Sequence, residues 1–170
     1  PRVLDVCTGS GAIAVTLKAQ YPQATVTATD ISADALALAR ENAARHAPDI
    51  RFLQGDLLTP VLGEQFDVIV SNPPYIPSDA CETLQPEVLR EPRLALDGGM
   101  DGLDFYRRLA TDAPAYLRAG GSLLMEVGDG QAESVKALLT DTGAYTEILH
   151  VPDLYGKLRV VAARRDAFPT

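Results

Sequence analysis

Four consecutive residues, Asn72-Pro73-Pro74-Tyr75, carry the most specific chemistry in the chain. Two adjacent prolines fix the backbone and remove two amide donors. They leave the Asn72 side-chain oxygen and a rigid main-chain carbonyl as acceptors, with an aromatic ring beside them. That set suits a planar NH2 group. An amide or aryl amine has a delocalised lone pair and is a poor nucleophile. Two acceptors on its N–H bonds hold the nitrogen and support the charge that develops there. A proline-stiffened turn without a ligand is the plainer alternative. Position argues against it, because the four residues directly follow the strand-like run Phe66 to Ser71.

A second group precedes it. Asp5-Val6-Cys7-Thr8-Gly9-Ser10-Gly11 follows a strand-like run and opens an apolar helix. Its glycines let the backbone approach a ligand, and the helix start offers free N–H groups. Gly9 to Ala14 fits the dinucleotide fingerprint, so this run alone leaves nicotinamide and S-adenosylmethionine cofactors both open. Asp30, at the end of the next apolar run, can accept from both hydroxyls of a ribose or simply cap the following loop. After the third run, Asp56 can accept from an adenine amino group while Leu57 packs on the ring, although Gly-Asp is also ordinary turn chemistry.

These segments need a frame. Strand patterns run from Arg2 to Val6, Ala24 to Thr29, Ile50 to Gln54, Phe66 to Val70 and Ser122 to Val127, with Tyr145 to Val151 and Leu158 to Ala163 as a closing pair. Helical patterns cover Ala12 to Gln20, then Ala33 to His46 behind a Ser32 cap with Ala35, Leu38 and Ala39 on one face. They resume over Leu103 to Leu117, where Pro114 predicts a kink or break, and over Gln131 to Leu139. Ser71 to Gly102 shows no sustained period; a loop of that length in a compact domain is usually functional or disordered. Strand–helix alternation predicts a largely parallel sheet with helices on both faces and ligands at the carboxyl ends of its strands.

The 170 residues suffice for one domain with a real core. Fifteen Lys and Arg against 23 Asp and Glu give a net charge of -8, which leans away from direct nucleic-acid binding. No run approaches a membrane span, and Cys7, Cys81, His46 and His150 form no metal-ligand spacing, so no metal is expected. So few cysteines fit a cytoplasmic location. Lys157, Arg159, Arg164 and Arg165 read as a solvated edge.

The glycine run, Asp30 and Asn72 to Tyr75 together resemble class I methyltransferases acting on planar nitrogens. The surrounding text is similar to one family, the HemK/PrmC protein-(glutamine-N5) methyltransferases. The matching stretches are Asp5 to Ile13, Asp30-Ile31-Ser32 with Ala35-Leu36, Ser71 to Pro77, Glu91 to Gly99, Asp101-Gly102-Leu103, and Glu126-Val127-Gly128 with Gln131. Asn72 to Tyr75 is shared with adenine-N6 methyltransferases, whereas the Glu91 to Leu103 block is far more specific to the family. One departure is Gly156-Lys157-Leu158-Arg159, where an acidic residue before the arginine is expected.

The resemblance implies a Rossmann-like α/β fold with a seven-stranded, mostly parallel sheet whose last strand is antiparallel. It implies a chain that is a catalytic domain, residues 1–170, without the family's N-terminal helical domain for substrate recognition. The implied cofactor is S-adenosyl-L-methionine, contacted by Asp5, Cys7, Thr8, Gly9, Ser10, Gly11, Asp30, Ile31, Asp56, Leu57 and Asn72. The implied substrate is the glutamine of a Gly-Gly-Gln loop in a peptide chain release factor. Asn72, Pro73, Pro74 and Tyr75 would bind it, with Asn72, Pro73 and Tyr75 at the chemistry. Glu91, Arg93 and Asp101 are expected to order the loop over the substrate, and a monomer is expected. A ribosomal-protein glutamine methyltransferase and a nucleic-acid adenine methyltransferase remain as alternatives.

Overall fold

In the computed structural model, which describes residues 1–47 and 49–168, the first strand sets the layering. Along β1 (Arg2–Val6), Val3 packs on one face of the sheet and Leu4 and Val6 on the other, as a period of two requires. Helices α1 (Ala12–Gln20) and α2 (Ala33–His46) close the first face. Its core is built from small side chains, with Ala14, Ala24, Ala28 and Ala43 packed against Val3, Val26 and Ile50. The opposite face is covered by α4 (Asp104–Tyr116) and α5 (Ala132–Thr142), which follow the single helical turn α3 (Arg93–Leu96). There Leu4, Ile69, Tyr106, Leu109, Leu123 and Met125 form a larger cluster. Full burial of one such side chain contributes about 1.5–3 kcal/mol, so this face carries most of the hydrophobic stabilisation.

The remaining strands are β2 (Thr25–Asp30), β3 (Ile50–Gln54), β4 (Phe66–Ser71), β5 (Leu117–Glu126), β6 (Tyr145–Pro152) and β7 (Leu158–Arg165). They form one seven-stranded sheet in the order β3-β2-β1-β4-β5-β7-β6. Only β7 runs against its neighbours, as expected. The register aligns the strand ends: Val6 lies opposite Thr29 and Ser71, Thr29 opposite Leu53, and Ser71 opposite Met125. Two buried hydroxyls fasten this edge, Ser71 Oγ donating to the Val6 carbonyl at 2.7 Å and Thr29 Oγ1 to the Leu57 carbonyl at 3.0 Å. The strand order reverses between β1 and β4, which opens the crevice at their carboxyl ends.

Four local expectations change. Helix α4 does not break at Pro114, which lies in its last turn. The missing proline amide would have bonded the Ala110 carbonyl; the Tyr145 hydroxyl donates to that carbonyl instead, at 3.0 Å. Strand β5 starts at Leu117, well before Ser122, because Leu117 already pairs with Phe66, ahead of a register shift between Phe66 and Val68. Ser32 caps α2 as expected, accepting from Ala35 N at 3.1 Å, but the buried stripe is Leu36, Ala39 and Ala43, and Leu38 is 48% exposed. The aperiodic stretch from 71 to 102 is ordered by short 3-10 turns at Ala80–Thr83 and Val88–Arg90, by α3, and by a bridge between Ile76 and Asp97. Among the described residues no helix is long and apolar enough to cross a membrane.

Candidate functional site

The crevice between β1 and β4 gathers the segments singled out in the sequence. On the β1 side, Gly9 has a φ of 56° and open space where a side chain would stand. Gly11, with a φ of 81°, allows α2 to come close, since a Cβ there would lie 3.0 Å from that of Ala39. Thr8 is buried and its hydroxyl donates to Asp5 Oδ2 at 2.6 Å, while Ala14 N donates to the same oxygen at 3.2 Å. Asp5 is wholly buried and its other oxygen has no hydrogen-bond partner. Burial pushes its carboxyl up to about 7, against the pull of the Thr8 and Ala14 bonds.

Cys7 sits at a φ of 61°, a conformation that side chains seldom adopt. Burial, with Asp30 nearby, pushes its thiol up to about 12. It stays protonated at neutral pH and is no nucleophile. Asp30 ties two loops together, Oδ2 accepting from Gly9 N at 2.8 Å and Oδ1 from Ser32 N at 2.9 Å. Each oxygen keeps a lone pair for a further donor. Ile31 beside it is exposed, as is Ser10, whose carbonyl accepts from Asn42 Nδ2 at 2.9 Å. After β3, Leu57 is buried at a φ of 47°, and Asp56 Oδ2 pairs with Arg108 of α4 at 2.5 Å. A cleft of about 440 Å³ runs from these residues down α4 to Tyr116.

On the β4 side, Asn72 is exposed and its side chain makes no hydrogen bond to another described residue, whereas Pro73 and Pro74 are buried and Tyr75 is half-buried. The turn rests on glycines. A Cβ on Gly98 would lie 2.8 Å from Tyr75 Cα and 2.9 Å from the Pro74 carbonyl, and one on Gly128 would lie 2.7 Å from the Tyr75 ring. Such a site can hold a ligand bearing vicinal hydroxyls beside Asp30 and grip a planar amide at Asn72.

Comparison with known proteins bears on which chemistry this is. A release factor glutamine methyltransferase of Deinococcus radiodurans is 51% identical over 97% of this chain and 58% of its own length. A ribosomal protein uL3 glutamine methyltransferase of Bradyrhizobium diazoefficiens is 46% identical over 76% of the chain and 41% of its own length. The family model for the methyltransferase small domain matches residues 1–99. The crystal structure of a release factor-specific protein-(glutamine-N5) methyltransferase from Alicyclobacillus acidocaldarius is 34% identical, with a TM-score of 0.57, over 97% of this chain and 80% of that one. This chain belongs to the protein-(glutamine-N5) methyltransferase family. It spans about three-fifths of the length of the release factor methyltransferases it matches.

Within this family member, residues 91–103 are the floor under the Asn72 turn, joined to the segment just after it by Ile76 N to the Leu96 carbonyl and Gly98 N to the Ile76 carbonyl. Its organiser is Asp97, a residue the sequence did not single out. Asp97 Oδ1 accepts from Ser78 Oγ at 2.6 Å and Gly99 N at 3.0 Å, and Oδ2 accepts from Arg93 Nε at 3.1 Å. These donors hold its carboxyl below the usual range. Arg93 and Asp101 do help order the loop, Asp101 through Arg107 and Leu103 N. Glu91 makes no side-chain hydrogen bond among the described residues, so that expectation shifts to Asp97. The basic residues near the C-terminus are tied locally, Lys157 to Asp129 at 3.0 Å and Arg159 to Asp153 at 3.3 Å. Cys81 is buried with its Sγ 3.9 Å from the Ile76 carbonyl, just beyond the Asn72 turn, and His150 faces Glu133 at 3.4 Å. Among the described residues no group of three or more His, Cys, Asp or Glu could hold a metal.

Proposed function

We propose that this chain transfers a methyl group from S-adenosylmethionine to the side-chain amide nitrogen of a glutamine in a protein, the glutamine of a Gly-Gly-Gln loop in a peptide chain release factor. The observation that carries the reading is the Asn72 turn: an exposed amide side chain without a partner among the described residues, on a proline-stiffened backbone at the edge where β1 and β4 part. The activities of the methyltransferases this chain resembles support it. The uL3 relative keeps a ribosomal-protein glutamine as a second candidate for the same chemistry.

The residues present fit the cofactor. Asp5 leaves one buried carboxylate oxygen without a partner beside the glycine loop, an acceptor suited to an ammonium. Gly9 stands over open space, Asp30 retains acceptor capacity for ribose hydroxyls, and Ile31 and Leu57 offer apolar surface to a ring. S-adenosylmethionine supplies an electrophilic methyl on a sulfonium whose departure needs no acid.

The chain's own work is therefore positioning. The Tyr75 carbonyl already accepts from Gln131, so the second acceptor lies earlier in the turn, and we assign it to Pro73. Asn72 Oδ1 and the Pro73 carbonyl accept the two amide N–H bonds, and the Tyr75 ring packs on the flat group. Orientation of this kind contributes roughly 7–11 kcal/mol in favourable cases. No strong base is needed, because the alkylated amide nitrogen is acidic and sheds its proton readily. The test is transfer of a labelled methyl to intact release factor, with mass spectrometry to locate it. Label on the Gly-Gly-Gln glutamine supports the reading; label only on adenine of DNA or RNA overturns it.

A further inference from the structure

The side chain of Gln131, just ahead of α5, joins three loops that meet behind the Asn72 turn. Its Nε2 donates to the Tyr75 carbonyl at 2.9 Å and lies 3.5 Å from the Gly102 carbonyl, while its Oε1 accepts from Gly128 N at 3.0 Å. Tyr75 belongs to the turn after β4, Gly102 to the loop between α3 and α4, and Gly128 to the loop after β5. The amide has one chemically allowed orientation, because turning it over would set its oxygen against two carbonyl oxygens. The three loops leave no slack around it. A Cβ at Gly102 would lie 2.4 Å from the Tyr75 carbonyl and 2.9 Å from Gln131 Nε2, and one at Gly128 would lie 2.8 Å from Gln131 Oε1 and 2.7 Å from the Tyr75 ring.

We propose that Gln131 is a positioning residue for the acceptor clamp: it fixes the Tyr75 backbone and ring, and through them the Asn72 and Pro73 acceptors, against the substrate amide. This rests on the glutamine-methylating reading above. The role demands a donor and an acceptor at opposite corners of one planar group at this reach. Gln supplies both, and a Glu supplies both only when protonated. The Gln131 side chain makes no hydrogen bond to the glycine loop of β1 or to Asp30, so its loss acts on the acceptor side of the reaction and leaves the cofactor side alone.

The experiment uses the intact protein with wild type, Gln131→Met and Gln131→Glu. Each is measured for S-adenosylmethionine affinity by calorimetry, thermal melting, and kcat and KM for a release factor substrate between pH 6 and 8. Met keeps the volume and loses both hydrogen bonds, so kcat/KM is expected to fall roughly 10- to 100-fold with cofactor affinity within about twofold, since a small misplacement of reacting groups costs on that order. For Gln131→Glu, activity relative to wild type is expected to rise as pH falls. The carbonyl oxygens facing the new carboxyl favour its protonated form, which restores an O–H donor to Tyr75 while the second oxygen still accepts from Gly128. Wild-type kinetics in Gln131→Met, a pH-independent ratio in Gln131→Glu, or a parallel loss of cofactor binding and fold in both variants overturns the inference alone. A wild type that methylates no glutamine overturns it together with the functional reading.

Discussion

Asn72 makes no side-chain hydrogen bond to another described residue, although it stands on a rigid, proline-stiffened turn. Asp30 fastens two loops, Thr8 binds Asp5, and Ser71 binds the Val6 carbonyl. A polar side chain held on a rigid backbone and left unpaired is available to a substrate. Asn72→Ala is expected to lower turnover by about 100-fold or more, the scale of losing one preorganised acceptor, with a smaller loss of S-adenosylmethionine affinity; methyl-transfer kinetics beside calorimetry decides it, and unchanged turnover would sink the assignment. Cys7 presents the contrary case. Its thiol is pushed up by burial and by Asp30, so alkylation of the native protein at Cys7 is expected to be slow at pH 7 and faster in the unfolded chain.

Elements here are secured by single side chains that replace missing backbone bonds. Helix α4 survives Pro114 because Tyr145, 31 residues further on, donates its hydroxyl to the orphaned Ala110 carbonyl. Tyr145→Phe is expected to cost about 1–2 kcal/mol by urea denaturation, the price of one buried unsatisfied carbonyl. In a Pro114→Ala background the new amide takes that carbonyl, so the same Tyr145→Phe change should cost clearly less; equal costs in both backgrounds would refute the compensation. The loop floor behaves similarly. Gly98→Ala drives a methyl into backbone atoms of Pro74 and Tyr75 that cannot step aside, and is expected to destabilise by about 1–3 kcal/mol while lowering turnover, read by thermal melting and kinetics.

At the scale of the whole molecule, the buried Asp5 carboxyl links stability to pH. Its folded value of about 7 lies above the ordinary 3.8, so the folded state binds the extra proton. That stabilisation is full below about pH 4 and is lost as pH rises to about 7, an upper bound of about 4 kcal/mol. Asp67, Asp97, Asp101, Asp129 and Asp153, and Glu64, are all held low by their donors, so their contributions are lost only below about pH 4. The ligand-free protein is therefore expected to melt at higher temperature at pH 5 than at pH 7.5, with Asp5→Asn flattening that slope. A slope unchanged by Asp5→Asn would show that the carboxyl is ionised throughout.

Much of this was legible in the sequence, because strands, turns and caps are written in local chemistry. Alternating apolar runs gave the strands, glycines and terminal acids marked the ligand edge, and two prolines announced a rigid acceptor turn. The order within residues 71–102 was not legible, since its elements are too short to show a period and its organiser, Asp97, acts through contacts with Ser78 and Arg93. Gln131 stood in a matching stretch, but its role was not legible, because it meets Tyr75 across 56 residues of chain. Sequence alone determined the types of residue available for chemistry and the ends of the strands that carry them. Tertiary structure decided the register that levels those ends, the burial that raises the Asp5 carboxyl, and the long-range hydrogen bonds that hold the turn, because each depends on groups brought together only when the sheet closes.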